Sequence, residues 1–273
     1  MIDLNGTSYS LCLIDSNIVS ESLKNPTREG KRLVELIAHE KYIPAFSIFT
    51  VLELRQRPDI YTKFLRMFSV VPCVFTKSHQ QLLDDEVEQY PHPERVSPVL
   101  ATSLGVAAPP GEKLADVLGL VFSGPEVIRH EKMWNEGRAS IVSGITSLVE
   151  NFKPSGNSYT PKEIRAFIEL AGFEQIARRY IAFAKEIVDK GDKVLIDAFP
   201  SLKMILYTVF YKFYVDSRKP LQSDAFDLEI ASATPYVDVV MTERHQAEVI
   251  RKTKQRDSFL DHVDVRDLST LRE

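Results

Sequence analysis

The sequence predicts an α/β protein whose parallel sheet is interrupted by one large helical insertion. Short apolar runs alternate with helical periodicity over residues 1–76 and again over residues 217–273, whereas the stretch between them is almost entirely helical in period. The simplest division is one α/β domain, residues 1–76 plus 217–273, with residues 77–216 as an all-helical insertion. Two separate domains are the alternative, which acidic segments on both sides of the insertion disfavour.

The two α/β segments each predict strands that alternate with helices, the order that is typical of a parallel sheet. In the first segment the predicted strands are 9–14, 42–46 and 70–75, and the predicted helices are 28–40, 48–56 and 58–68. Thr27 and Ser47 are suited to cap the first two helices, and Pro58 suits the first turn of the third. In the second segment, helices at 224–233 and 245–254 alternate with strands at 237–241 and 262–265.

The insertion predicts four amphipathic helices, at 112–122, 125–150, 161–189 and 194–215. Segments rich in proline and other helix breakers, at 91–110 and 153–161, interrupt the helical pattern. Aromatic residues recur at helical spacing over residues 207–214, which favours core packing over a surface that stacks nucleic-acid bases.

The composition is that of an ordinary globular protein. Hydrophobic residues make up 44% of the 273 residues and charged residues 26%, values that argue against a disordered chain. The formal net charge is -4, so a nucleic-acid partner would need a local basic patch. The two cysteines, Cys12 and Cys73, lie in apolar runs, and we expect reduced, buried thiols because their number excludes a disulfide framework.

We expect a cytoplasmic protein that does not contact a membrane. The N-terminus has no basic region followed by an apolar stretch, as a signal peptide would have. The most apolar helical stretch, residues 194–215, contains Asp197, Lys203 and Lys212 and therefore predicts a buried core helix.

Four acidic segments stand where a carboxylate would reach one shared site. Asp15 follows the first predicted strand and Glu243 follows the fourth, and the carboxyl ends of parallel strands face the crevice in which α/β proteins bind ligands. Glu53 is the lone acid of an apolar helical turn, and Asp224 and Asp227 share one helix face. Carboxylates in apolar surroundings need a cation or hydrogen-bond donors, and oxygen ligands suit Mg²⁺ or Mn²⁺.

Each acid also has a structural interpretation. Asp15 and Asp224 can cap the helices that follow them, and Glu53 can pair with a neighbouring arginine. Asp238 begins the fourth strand and should lie at the opposite end from the crevice, so a structural and a functional role are equally favoured. Glu229 falls off the face that the two helical aspartates share, and we expect it in solvent.

The same segments resemble the motifs of the PIN-domain nucleases. Ile14-Asp15-Ser16-Asn17 looks like their hydrophobic-Asp-Thr/Ser-Asn opening, and residues 50–54 resemble their second motif, a helix-borne glutamate. Residues 224–231 resemble the third motif, an aspartate that leads into Ile-Ala, and residues 238–243 the fourth, a strand followed by threonine and an acid. The resemblance leaves the insertion unexplained, and four motifs in order are more specific than any one alone.

The resemblance implies a Rossmann-like sheet whose acids bind one or two Mg²⁺ or Mn²⁺ ions and cleave RNA. The implied metal ligands are the five acids Asp15, Glu53, Asp224, Asp227 and Glu243. Asp15, Glu53 and Asp227 would hold the first ion. Glu243 and Asp224 would complete a second site or orient water. Three neighbours would support the ligands through hydrogen bonds, namely Ser16, Asn17 and Thr242.

Two positions depart from the family pattern. The third motif offers two aspartates, and its alignment on Ile230 and Ala231 favours Asp227. Arg244 stands where many members carry an aspartate, which makes a weakened or non-catalytic site an open alternative.

Basic residues near the acids are the predicted contacts to nucleic-acid phosphates. They are Arg218, Lys219, Arg244, Arg251 and Lys252. A solvated basic helix face is an equally favoured interpretation of the segment 244–256.

We therefore predict a metal-dependent endoribonuclease that acts on single-stranded RNA, toxin-like or defence-related by analogy with the family. The first alternative is a non-catalytic PIN-like binding or assembly module, in which the insertion contacts a protein partner or a second copy of the chain. A weaker alternative is a structure-specific DNA nuclease.

Overall fold

Strands and helices alternate at both ends of the chain in a computed structural model that describes residues 2–4, 6–24, 28–103, 113–125, 128, 132, 139, 142–147 and 159–272. The strands are β1 (Ile2–Leu4), β2 (Thr7–Ile14), β3 (Tyr42–Ser47), β4 (Val74–Thr76), β5 (Val99–Thr102), β6 (Val239–Thr242) and β7 (Asp264–Asp267). The first six helices are α1 (Ser16–Leu23), α2 (Arg28–His39), α3 (Ile48–Arg55), α4 (Pro58–Phe68), α5 (His79–Glu88) and α6 (Lys113–Ser123). The remaining helices are α7 (Pro161–Arg179), α8 (Ile181–Asp189), α9 (Pro200–Val209), α10 (Asp224–Ser232) and α11 (Arg244–Lys254), and α9 continues into a π-helical segment, Phe210–Val215.

The strands form a mixed, mostly parallel sheet in the order β5-β4-β3-β2-β6-β7. β4, β3, β2, β6 and β7 run parallel, whereas β5 is antiparallel to β4 and β1 pairs antiparallel with β2. From the central strand β2 the chain builds outward through β3 and β4, and then returns to the other side of β2 with β6. The strand order therefore reverses between β2 and β6, the point at which open α/β sheets bind their ligands.

Both faces of the sheet are covered by helices, as the alternation of side chains along β2 requires. Leu11 and Leu13 point to one face, which packs against residues of α3 and α10, and Cys12 and Ile14 point to the other, against α1, α2 and α4. On this second face Phe46 of β3 packs edge-on against Phe64 and Phe68, with ring centroids 5.1 and 4.7 Å apart. The predicted α/β class is confirmed, and both cysteines are buried free thiols, as expected.

The insertion is not all helical, because β5 lies within it and extends the sheet next to β4. Only four residues long, β5 follows a proline-rich loop and is too short to show a period of its own in the sequence. The predicted helix 161–189 is two helices, since the chain turns at Tyr180 between α7 and α8. The predicted helix 194–215 starts with a short 3-10 turn at Ile196–Ala198, and Pro200 opens α9.

Other boundaries differ less. The third predicted strand begins only at Val74, because Val70 lies outside the sheet with its surface 68% exposed. The last strand spans Asp264–Asp267 where the sequence predicts 262–265. The predicted helix 125–150 lies largely outside the described residues. The same holds for the break at 153–161, of which only residues 159–161 are described. The predicted Thr27 cap and residues 104–110 lie entirely outside them.

A third apolar cluster joins the insertion to the sheet domain. It contains residues of α7, α9 and the π-helical segment, together with Leu228 of α10 and Val249 of α11. The aromatic residues of 207–214 are all buried in it, so the predicted core role is confirmed. In the part of the chain that the structure describes, no helix has both the length and the apolar character needed to cross a bilayer.

Candidate functional site

Asp15 and Thr242 meet at the carboxyl ends of two adjacent parallel strands. The last residue of β2, Ile14, is in register with Met241 of β6, and the Asp15 amide donates to the Met241 carbonyl at 3.0 Å. This register brings the Thr242 hydroxyl to the Asp15 carboxylate, to which Oγ1 donates a hydrogen bond of 2.7 Å. Asp15 occupies the N-cap position of α1, but its side chain makes no capping bond and is buried in the crevice.

Ser16 connects Asp15 to Glu53. Its hydroxyl oxygen lies 2.5 Å from Glu53 Oε2 and 3.2 Å from Asp15 Oδ1. Glu53 arrives from the last turn of α3, whose start is fixed by Ser47, since the Ser47 hydroxyl accepts from the Phe49 amide at 3.2 Å as predicted. One hydroxyl proton therefore stands between two carboxylates that come from different elements.

Asp227 and Asp224 lie on α10, where they meet a buried lysine that the sequence did not mark as a site residue. Lys212 Nζ is 2.7 Å from Asp227 Oδ2 and 3.8 Å from Asp224 Oδ1. Asp224 is fully buried, with Oδ1 2.9 Å from the Arg218 guanidinium and Oδ2 accepting from the Leu221 amide at 2.7 Å. The protein itself therefore engages both oxygens of Asp224.

Lys212 was visible in the sequence as the lone charge of the aromatic run 210–214. A charged residue inside such a run needs a partner when it is buried. What the sequence could not tell was which acid would be that partner.

Glu243 lies at the start of α11, directly after β6. It is the N-cap residue but makes no side-chain capping bond, and its Oε2 accepts from Asn17 Nδ2 at 3.4 Å. Ser16 and Asn17, which are adjacent in the sequence, thus contact two different acids, Glu53 and Glu243.

Burial and neighbouring acids raise the pKa of Asp15, Glu53 and Glu243. Burial is the largest cause of the raised pKa of Asp15, followed by the charge of Asp227, while hydrogen bonds from Thr242 and Ser16 act in the opposite direction. Burial also raises the pKa of Glu53, against the Ser16 hydrogen bond, and the charge of Asp15 raises it further. The pKa of Glu243 is raised by burial and then by Asp227. This crevice therefore concentrates negative charge, which Lys212 beside Asp227 offsets in part.

The carboxylates fit a divalent ion by ligand type and by charge, since hard oxygen donors suit Mg²⁺ or Mn²⁺. In the conformation seen, no three acidic, histidine or cysteine side chains among the described residues lie close enough together to hold one ion. The oxygens of Asp15 are turned to Thr242 and Ser16, and one oxygen of Asp227 is turned to Lys212.

The two remaining acids that the sequence singled out have structural roles. Asp238 lies at the amino end of β6, opposite to the crevice, where its Oδ2 accepts from the Leu11 amide at 2.8 Å. Glu229 is not solvated as expected, because its half-buried carboxylate accepts from the His79 amide of α5 at 3.0 Å. Burial raises the pKa of Glu229 to about 7.

The five predicted phosphate contacts divide into two groups. Arg218 is committed to Asp224, and Arg251 pairs with Asp267 at 3.0 Å. Lys219 is exposed, Arg244 has a side chain that is 85% exposed beside Glu248, and Lys252 lies 3.6 Å from Asp216 on the surface. Accessibility does not separate the groups, because the side chains of Arg251 and Lys252 are exposed to a similar extent, 43% and 41%.

A small cavity of about 10 Å³ lies behind Asp15, between β6, α10 and α11. Its polar lining includes Asp227, Thr242, Thr234 and Gln246. Gln246 is only 5% exposed, and neither its amide nitrogen nor its amide oxygen has a hydrogen-bond partner among the described residues. Thr234 Oγ1 is buried and unpartnered in the same sense. Neither residue was singled out from the sequence, where no local pattern distinguishes them.

The chain matches no family model, and no curated protein or solved structure matches it. The resemblance to the PIN-domain nucleases therefore rests on the four sequence motifs.

Proposed function

We propose that the protein is a divalent-metal-dependent endoribonuclease of the PIN type. The single observation that carries the proposal is the meeting of Asp15 with Thr242 and Ser16, and through Ser16 with Glu53, at the point where the strand order reverses. Asp227 and Glu243 lie near enough to raise the pKa of Asp15. Acidic side chains repel one another in this way where a cation is to be bound.

Asp15 and Glu53, with Asp227 or Glu243, are the residues that would hold Mg²⁺ or Mn²⁺. A bound ion would supply an activated water and neutralise the charge that develops on the phosphate oxygens during hydrolysis. Ser16 and Thr242 orient Asp15 by hydrogen bonds, and Asn17 orients Glu243. Thr242 donates a hydrogen bond to one oxygen of Asp15. This bond favours the ionised carboxylate that a metal ion requires as a ligand.

RNA is the proposed substrate, and single-stranded RNA the form that we expect to bind. Lys219, Arg244 and Lys252 provide exposed positive charge in the segments that flank Asp224 and Glu243, against a chain that is negative as a whole. These residues would bind the phosphate backbone without selecting its sequence.

Asp15→Asn tests the proposal. We expect the variant to lose Mn²⁺-dependent cleavage of single-stranded RNA while its thermal melting stays cooperative, because the amide keeps the size of the side chain but not its charge. Asp238→Asn is the matched control, since Asp238 lies at the opposite end of β6. Cleavage that persists in Asp15→Asn, or that EDTA does not abolish in the unchanged protein, would contradict the proposal. Branched DNA cleaved in preference to RNA would instead favour a structure-specific DNA nuclease.

A non-catalytic binding module is the second candidate. One observation favours it: Lys212 already neutralises part of the charge that a metal ion would neutralise. In that case Mn²⁺ produces no thermal shift. A shift that is present in the unchanged protein and lost in Asp15→Asn would rule the second candidate out.

A further inference from the structure

Lys212 is a fully buried ammonium group at the edge of the carboxylate crevice. It belongs to the π-helical segment that follows α9, and it reaches across to α10, where its Nζ lies 2.7 Å from Asp227 Oδ2. Burying a lysine costs several kcal/mol unless an acid compensates it. Asp227 is that acid, and its side chain is itself 24% exposed toward the crevice.

Asp224 does not need the charge of Lys212. Arg218 lies 2.9 Å from Asp224 Oδ1, whereas Lys212 is 3.8 Å from the same oxygen. The two cations come from one turn of the chain, because the Arg218 amide donates to the Lys212 carbonyl at 3.2 Å. Arg218 thus neutralises Asp224, and Lys212 is left to offset a charge of the crevice.

The formal charges of the crevice then favour a single divalent ion. Asp15, Glu53, Asp227 and Glu243 carry four negative charges in their ionised forms, and Lys212 supplies one positive charge in contact with Asp227. One divalent ion leaves the group close to neutral but still negative. A second divalent ion would make the net charge of the site positive. Coulomb repulsion between that ion and the buried Lys212 ammonium group opposes its binding.

A buried side chain without a hydrogen-bond partner among the described residues, Gln246, is independent evidence that the crevice binds a ligand. The cavity behind Asp15 and Asp227 is lined by Gln246, a buried side chain whose amide oxygen and nitrogen have no hydrogen-bond partner among the described residues. Buried amides are almost always hydrogen-bonded, so a water or an ion-bound water is expected to complete Gln246. The cavity has room for about one water molecule.

We infer that Lys212 is a built-in counter-cation of the carboxylate crevice, which limits the crevice to one divalent ion. The inference rests on the proposed metal-dependent function and specifies how many ions that function uses. Lys212 is a positioning residue, since it would act on a bound ion through Asp227, one oxygen of which accepts its hydrogen bond.

The test is the number of Mn²⁺ ions bound per chain, measured by isothermal titration calorimetry and by electron paramagnetic resonance of free Mn²⁺. We expect the unchanged protein to bind one ion. Lys212→Met removes the counter-cation and keeps an unbranched side chain, and we expect it to bind two. Lys203→Met is the matched control with one ion, because Lys203 is also buried but pairs with Asp197 and Asp257, at 2.6 and 2.7 Å, away from the crevice.

Two bound ions in the unchanged protein, or one in folded Lys212→Met, would overturn the inference. Where Lys212→Met is unfolded in EDTA, recovery of a cooperative melt on addition of Mn²⁺ supports the inference, and failure to recover overturns it.

The inference and the proposed function fail in different ways. One bound ion without RNA cleavage would contradict the proposed nuclease function and agree with the inferred role of Lys212. Two bound ions with RNA cleavage would support the nuclease function and contradict the role of Lys212. No bound ion in any of these proteins would remove both.

Discussion

Single hydroxyl groups hold the acidic side chains of the crevice in place. Thr242 donates to one oxygen of Asp15, and Ser16 lies between the other oxygen and Glu53. Hydrogen bonds to a buried carboxylate favour its charged form, and here they oppose the effect of burial on the pKa of Asp15. At the scale of residues, the site therefore depends on a few donors whose position follows from strand register.

Thr242→Val should weaken metal binding without disturbing the fold. The change removes the 2.7 Å hydrogen bond and keeps the shape of the side chain, so the pKa of Asp15 rises further and its charged form becomes less favourable. We expect Mn²⁺ affinity to fall by about tenfold and the free energy of unfolding to fall by about 1–3 kcal/mol. Calorimetric titration and urea denaturation measure the two quantities.

Thr253→Val is the control for that experiment. Thr253 is also fully buried, but its hydroxyl donates to the Val249 carbonyl within α11 at 2.9 Å. Its replacement should leave Mn²⁺ affinity unchanged. An equal loss of affinity in both variants would show that the hydrogen bond to Asp15 has no particular role.

At the scale of elements, α5 is tied to the rest of the protein by a buried carboxylate. Glu86 accepts hydrogen bonds from the amide of Ser201 in α9, at 2.7 Å, from its hydroxyl, at 2.9 Å, and from the hydroxyl of Tyr236. Burial is the main cause that raises the pKa of Glu86 to about 7, against the effect of these donors. Three elements that are distant in the sequence thus share one acid that titrates near neutral pH.

Glu86→Gln should flatten the pH dependence of stability. The pKa of Glu86 is about 7 in the folded state against an ordinary value of 4.5, so the folded form binds more protons between these two values. Stability is greatest below pH 4.5 on this account and is lost as the pH rises toward 7, by about 3 kcal/mol. Glutamine cannot ionise, so the variant should lack the part of the loss that Glu86 causes. It should keep the part that Glu229 causes, because the pKa of Glu229 is also about 7. Urea denaturation at pH 5 and pH 8 measures the difference.

Glu88→Gln serves as the control on the same helix, since Glu88 is exposed. It should retain the pH dependence of the unchanged protein. If Glu86→Gln loses as much stability between pH 5 and pH 8 as the unchanged protein does, Glu86 is not the group that titrates.

At the scale of the whole molecule, the insertion and the sheet domain share a sheet, an apolar cluster and a buried ion pair. β5 adds an edge strand to the sheet, α9 packs in one apolar cluster with α10, and Lys212 pairs with Asp227. Each of these contacts joins a residue of 77–216 to one outside it. Removal of the insertion would expose apolar surface and leave buried polar groups without partners.

Replacement of residues 77–216 by a short glycine-serine linker should therefore abolish folding. We expect circular dichroism to show no cooperative thermal transition in the shortened protein, with the full chain, purified in the same way, as the control. A cooperative transition in the shortened protein would instead mean that residues 1–76 plus 217–273 form a domain of their own.

Local sequence by itself determined most of the elements and the chemistry of the crevice. Apolar period and capping residues predict the strands and helices on both sides of the insertion, because these depend on neighbours a few positions apart. The same patterns predict Asp15, Glu53 and Glu243 as candidate site residues, because each is an acid beside an apolar run that predicts a buried strand or helix.

Only the tertiary structure decided which groups meet. The pairing of Lys212 with Asp227, the sharing of Ser16 by two acids and the addition of β5 to the sheet all join segments that are far apart in the sequence. Hydrogen bonds and ion pairs form over distances of a few Å, and sequence spacing does not specify such distances between separate elements. The acids could therefore be predicted from the sequence. The packing of α9 and the segment that follows it against α10 decided that Lys212 neutralises part of their charge.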